Sequence, residues 1–207
     1  MTVHAIPDPR DAPHPPRPPL VLPQAEEAAL RAELARAQVV LEYGMGGSTV
    51  LAAEVGKTVF SVESDPRWLG MMARYFSDNP PAGMVHLHHG DIGPVENWGY
   101  PLDDSHHDLW QGYPVTVWDH EDFIHPDLIL IDGRFRVGCF LAVAARITKP
   151  VTLLFDDYAD RPEYHGIEGM IRPAVLYGRM ARFELTTALR PDSDLAEWAR
   201  DAAVMPL

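Results

Sequence analysis

The 207-residue sequence has a single cysteine, Cys139, so no internal disulfide framework can staple it. Thiols used this sparingly point to a reducing compartment, and the cytoplasm is the expected location. No apolar run approaches the roughly 20 residues that cross a bilayer, and the N-terminus lacks the hydrophobic core of a secretory leader. An excess of basic charge is missing too: Lys+Arg 17 against Asp+Glu 30 leaves a formal charge of −13. That balance argues against the basic face through which proteins take nucleic acid, and against an anionic membrane surface. Basic residues vanish altogether between Tyr75 and Gly133, a span that holds 11 acids and seven of the ten histidines. The expected partner is therefore a small molecule, neutral or cationic rather than polyanionic. The chain is long enough to bury a core without disulfides or a structural metal.

Proline is abundant, but only locally. Residues 1–23 hold 8 of the 20 prolines. Proline fixes φ and removes the amide donor, so this stretch reads as an extended tail with none of the chemistry, leaving residues 24–207 as the domain. Within the domain, strands alternate with helices. Residues 25–37, 48–55, 66–76, 137–147 and 194–203 read as helices, as do 167–177 despite Pro173. Apolar runs at 39–41, 58–62, 85–87, 127–131 and 151–155 read as buried parallel strands, with a late strand at 182–188. This alternation predicts an α/β fold, a doubly wound, Rossmann-like, mostly parallel sheet with helices on both faces. Residues 93–126 interrupt it. Carrying Trp98, Tyr100, Trp110, Tyr113 and Trp118, they read either as a lid over the substrate or as a packed insertion with its own aromatic cluster.

Each strong strand ends in an acid: Glu42, Glu63, Asp91, Asp132 and Asp156. In doubly wound sheets ligands bind outside the carboxyl ends of the strands, so these five acids are expected around one cleft. The first of these turns, at 42–49, contains Gly44, Gly46 and Gly47, which allow a tight strand-to-helix turn and close approach of the backbone to a ligand. A dinucleotide fingerprint needs a third glycine where Thr49 stands, which weighs against a nicotinamide-dependent oxidoreductase.

The sequence resembles the class I S-adenosylmethionine-dependent methyltransferases. The segments that carry the resemblance are VLEYGMGGST (40–49), VFSVESD (59–65), HHGDI (88–92), LILIDG (128–133) and LLFDDY (153–158), with Glu63 lying 21 residues after Glu42. The resemblance implies S-adenosylmethionine as cofactor. It places Gly44 and Gly46 against the methionyl part, Glu42 near its amino group, Glu63 on the ribose hydroxyls, Asp91 by the adenine, and Ile92 and Ser64 as flanking contacts. It implies methyl transfer to an oxygen of a small polar molecule.

Asp132 and the Asp156–Asp157 pair, followed by Tyr158, are similar to the metal-dependent O-methyltransferases of the catechol and macrolide-sugar type. There such carboxylates hold Mg²⁺, which binds adjacent substrate hydroxyls. The sugar-modifying branch has a second acid where this chain has Arg134. Two readings follow: a metal held by Asp132, Asp156 and Asp157, or an arginine–carboxylate cluster built on Arg134 and Arg136. Without a metal a base is still needed, and His165 is the expected one, with Tyr158 and Asp157 behind it; Asp132, His165 and Tyr158 are the expected catalytic residues. Arg134 also motivates a rival, a methyltransferase-like protein that binds cofactor without turnover. On a strand His86 and His88 share one face and His89 takes the other, a weak pattern for zinc.

Overall fold

The computed structural model describes residues 8–186, 188–191 and 195–207; residues 1–7 of the expected tail and Asp194, at the start of the last expected helix, lie outside the described residues. Seven strands form one sheet in the order β3-β2-β1-β4-β5-β7-β6. Strands β1 (Val39–Tyr43), β2 (Thr58–Glu63), β3 (Met84–His89), β4 (Leu128–Ile131) and β5 (Val151–Phe155) are mutually parallel. Strand β7 (Met180–Leu185) runs antiparallel to β5 and to β6 (Val175–Tyr177). The sheet is the expected doubly wound, Rossmann-like arrangement.

Alternation along each strand divides the core in two. Val40, Leu128, Leu130 and Leu154 pack with Leu30 and Leu34 of helix α1 (Gln24–Leu34) and Leu51 of helix α2 (Gly47–Glu54). Leu41, Ile129, Ile131, Leu153 and Phe155 face the opposite side, toward Val137, Phe140 and Val143 of helix α4 (Arg136–Arg146). Helix α3 (Pro66–Asp78) starts with Pro66 in its first turn and is capped by Asp65, whose carboxylate accepts from the amides of Arg67 at 2.8 Å and Trp68 at 3.3 Å. Helix α5 (Ala196–Ala203) lies against α4 at Gly138, where a side chain would strike the Ala203 carbonyl.

One expectation is corrected and two are made specific. No helix forms over 167–177: a 3₁₀ segment, Pro162–Gly169, precedes β6. Pro173 cannot donate to a helical carbonyl, whereas the edge of β7 offers pairing that begins with Ala174 N to Arg182 O at 2.8 Å. Of the two readings of residues 93–126, the packed insertion is the one the structure shows. These residues form three 3₁₀ segments, Asn97–Gly99, Asp104–Gly112 and Thr116–Asp119, and bury Trp110, Tyr113 and Val117 against the α4 face of the sheet. The Tyr43 hydroxyl donates to the Pro114 carbonyl at 2.7 Å and accepts from Trp118 Nε1 at 2.8 Å, which ties this insertion to the end of β1. Finally, the described part of the tail is docked. Arg10 pairs with Asp65 at 3.0 Å, Arg67 with Asp11 at 2.9 Å, Arg17 with Glu54 at 2.9 Å and His14 with Asp78 at 2.9 Å. Pro15 and Pro18 are buried beneath it. No described helix is long and apolar enough to cross a membrane.

Candidate active site

A cavity of about 760 Å³ opens along the carboxyl ends of β1, β2, β4 and β5. Its floor is the first glycine turn. Gly44 adopts φ 103°, and a Cβ there would lie 2.6 Å from the Gly133 nitrogen, so the turns after β1 and β4 touch backbone to backbone. Gly46 has no atom within 4 Å of where its side chain would stand. Gly47 meets the docked arm: a side chain there would strike the Pro19 carbonyl. Asp8, Arg10 and Pro19 to Leu22 thus wall the cavity, and the tail expected to carry none of the chemistry forms one side of the site.

Glu63, at the end of β2, lines the cavity beside Ser64 and Asp65. Its carboxylate accepts from the Asp65 amide at 2.8 Å, while burial pushes its pKa up to about 7. The Ser64 hydroxyl donates to the Gly99 carbonyl at 2.9 Å, and Trp68 Nε1 donates to the Met45 carbonyl at 2.8 Å, fixing both walls. From the insertion, Trp98, Gly99, Tyr100 and Tyr113 complete the enclosure, and Trp98 is 88% exposed at the rim.

Glu42 is not among the residues that line the cavity. It is 1% exposed and lies beneath the turn, where its carboxylate accepts from Ser48, Thr49 and, at 3.0 Å, Ser61. Thr49 also accepts from the Gly46 amide at 2.9 Å, so the residue in the third glycine position stitches the turn to Glu42. Asp91 is exposed and closes a short turn to the Gly93 amide at 3.0 Å, and Ile92 is 1% exposed in the core; neither lines the cavity. Tyr158 is buried with its hydroxyl 3.4 Å from Glu168, and His165 Nε2 lies 2.9 Å from the Tyr158 carbonyl. Both lie outside the cavity lining, unlike Asp132.

At the β4–β5 end, Asp132, Asp156 and Asp157 do converge, but among arginines. Arg136, 3% exposed, reaches Asp132 at 3.1 Å and Asp157 at 3.2 Å, and donates to the carbonyls of Gly133 at 3.0 Å and Asp156 at 2.8 Å. Arg179, from the β6–β7 turn, reaches Asp157 at 2.8 Å and Asp156 at 3.6 Å, and Arg161 reaches Asp157 at 3.6 Å. Both Asp157 oxygens are therefore faced by guanidinium, and the set does not fit a divalent cation. Burial raises the Asp132 pKa to about 7 against the pull of Arg136, with Asp156 and Asp157 adding to the rise. Asp156 is raised by burial and Asp157, and its Oδ1 has no hydrogen-bond partner among the described residues. Trp98, Phe135 and Asp157 adopt left-handed φ values of 66°, 51° and 60°, each costing about 1–3 kcal/mol, and all three lie on or beside the cavity wall. Away from the cavity, His86, His120 and Asp122 bring one ligand atom each within 4.8 Å of one another; His88 and His89 lie outside this group.

Arg10, Trp68 and Arg179 belong to the wall with no signal in the sequence, whereas Tyr100 and Tyr113 carried one as aromatics of the insertion. Of the acids between Tyr75 and Gly133, Asp132 alone lines the cavity.

A parallel sheet with this strand order, a glycine turn after β1, an acid after β2 and a cavity across both define a class I methyltransferase fold. The chain is 46% identical to a methyltransferase-like protein of Silicibacter pomeroyi DSS-3, with a TM-score of 0.85 over 92% of this chain and 99% of that one. It belongs to the class I S-adenosylmethionine-dependent methyltransferase family. It also shares its fold with the O-methyltransferase TomG from Streptomyces achromogenes, involved in tomaymycin synthesis and solved with S-adenosylmethionine, at 16% identity and a TM-score of 0.52 over 84% of this chain and 83% of that one. No family model matches the chain, and no curated protein sequence does.

Proposed function

We propose that the cavity binds S-adenosylmethionine and that the protein methylates an oxygen of a small polar acceptor. The observation that carries this reading is the Glu63 carboxylate, which faces the cavity next to a glycine turn with open space at Gly46. The residues fit the cofactor: a two-oxygen carboxylate accepts from both hydroxyls of a ribose, and those donors favour the ionised form that burial alone disfavours. Bound there, S-adenosylmethionine supplies an electrophilic methyl group on a sulfonium. The cofactor end lies over β1 and β2, which leaves the β4–β5 end for the acceptor. Asp132 and Asp157 both line that end, but both Asp157 oxygens face guanidiniums, and a pKa near 7 suits Asp132 to take the proton of a hydroxyl as its oxygen is methylated. Arg136 orients it through their 3.1 Å contact. The single thiol, Cys139, is fully buried, in keeping with action in the cytoplasm.

Calorimetry with S-adenosylmethionine tests the assignment. Glu63→Ala is expected to weaken binding by about tenfold or more, the value of lost hydrogen bonds to a charged group; unchanged affinity overturns the ribose role. A second reading, cofactor binding without turnover, is favoured by the arginines around Asp157. Tight binding with no transfer of labelled methyl to a panel of hydroxylated acceptors would establish it.

A further inference from the structure

Building on the methyltransferase reading, we infer that the acceptor is a small organic anion, a carboxylate carried close to the hydroxyl that is methylated, and that Arg134 is the residue that takes the carboxylate. Arg134 stands two residues beyond Asp132, in the wall of the acceptor end, and is 8% exposed. Arginine stays charged in proteins. Its neighbours Arg136, Arg161 and Arg179 each have an aspartate within ion-pair range. Among the described residues, none of the recorded ion pairs includes Arg134.

Its hydrogen bonds are also few. Of five guanidinium N–H groups, Nη1 donates to the Pro206 carbonyl at 3.3 Å, and Nε is buried with no partner among the described residues. The guanidinium lies 3.9 Å from the centre of the Tyr100 ring, and the Tyr100 hydroxyl, its pKa lowered against the push of burial by Arg134 and Arg161, is the guanidinium's other polar neighbour. Arg136, Arg161 and Arg179 share Asp132, Asp156, Asp157 and Glu26 among themselves, so no carboxylate of the cluster is left to pair with Arg134. A buried cation without a counter-charge is costly, so the missing anion is one that a ligand brings. A carboxylate matches a planar fork bidentately, and Asp132, two residues away in sequence, lines the same cavity. The acids that favoured a neutral or cationic acceptor from sequence, Asp132 apart, lie off the cavity wall.

The rival occupant of Arg134 is the cofactor's own carboxylate, and the experiment separates the two. S-Adenosylhomocysteine is first bound to the wild type, Arg134→Gln and Arg134→Lys, and each complex is titrated calorimetrically with salicylate, glycolate and their neutral amides. The expected result is that at least one carboxylate binds wild type about tenfold or more tighter than its amide, that Arg134→Gln removes this preference, that Arg134→Lys keeps part of it, and that all three bind S-adenosylhomocysteine alike. No measurable binding of either carboxylate, equal binding of acid and amide, or a preference that survives in Arg134→Gln overturns the inference. So does a tenfold loss of S-adenosylhomocysteine affinity in Arg134→Gln, which would give the guanidinium to the cofactor. Failure of the wild type to bind S-adenosylhomocysteine would instead overturn the methyltransferase reading itself.

Discussion

Glu42 offers the sharpest test of how the first turn is built. Its side chain is buried with three hydroxyls around it, and burial outweighs those hydrogen bonds to lift its pKa from 4.5 to about 7. Between those values the folded protein holds a proton that the unfolded chain has released. Stability contributed by this group is therefore complete below pH 4.5 and is lost as pH rises through 7. At about 1.4 kcal/mol per pKa unit the loss comes to roughly 3 kcal/mol, a large share of the 5–15 kcal/mol that holds a domain together. Glu42→Gln removes the titration and keeps an oxygen acceptor, while its amide can donate to the same hydroxyl oxygens. Urea unfolding at pH 5, 6, 7 and 8 should show wild type losing about 2.5 kcal/mol more than the variant across that range, with equal m values. Parallel pH profiles would refute the buried, proton-holding carboxyl. The same variant settles its distance from the cofactor: S-adenosylmethionine affinity should change little, and a tenfold loss would return Glu42 to the cavity wall.

Arg136→Met should cost about 1–3 kcal/mol in thermal unfolding, because it leaves the carbonyls of Gly133 and Asp156 without their donor and Asp132 without its counter-charge; a neutral effect would show that Arg136 is not the clamp between the β4 and β5 turns. Mg²⁺ should leave the melting temperature of wild type and of Asp157→Ala unchanged, and a rise in wild type that disappears in the variant would restore a metal to the three aspartates. Gly47→Ala should displace the arm at Pro19 and speed tryptic cleavage after Arg10, whose successor is not proline; an unchanged cleavage rate would refute the packing of the arm on α2.

The sheet was legible because buried parallel strands are continuous apolar runs that end abruptly at an acid, and Leu128 to Ile131 before Asp132 shows this most cleanly. The glycine turn was legible for the same local reason. What escaped was set by long-range contact. Nothing around Gly178 and Arg179 says that a hairpin tip will reach back to Asp157, since that depends on β7 inserting between β5 and β6. Five acidic strand ends suggested one ring, yet Glu42 turned beneath its own loop and Asp91 turned outward. Period-two geometry at a strand end gives the face of a residue but not whether a nearby hydroxyl will claim it. His165 drew notice for its chemistry alone, and its ring instead braces the carbonyl of Tyr158.

The arm that walls the cavity is fastened to the domain in large part by pairs whose members are exposed, Arg17 with Glu54, His14 with Asp78 and Arg67 with Asp11. Such pairs are screened over a Debye length of about 10 Å at 0.1 M salt, whereas the aspartate–arginine cluster at the far end is largely shielded from solvent. Ionic strength should therefore act on this protein unevenly. Added salt would loosen one side of the cleft and quicken exchange of whatever occupies it, while the sheet and the opposite wall stay as they are.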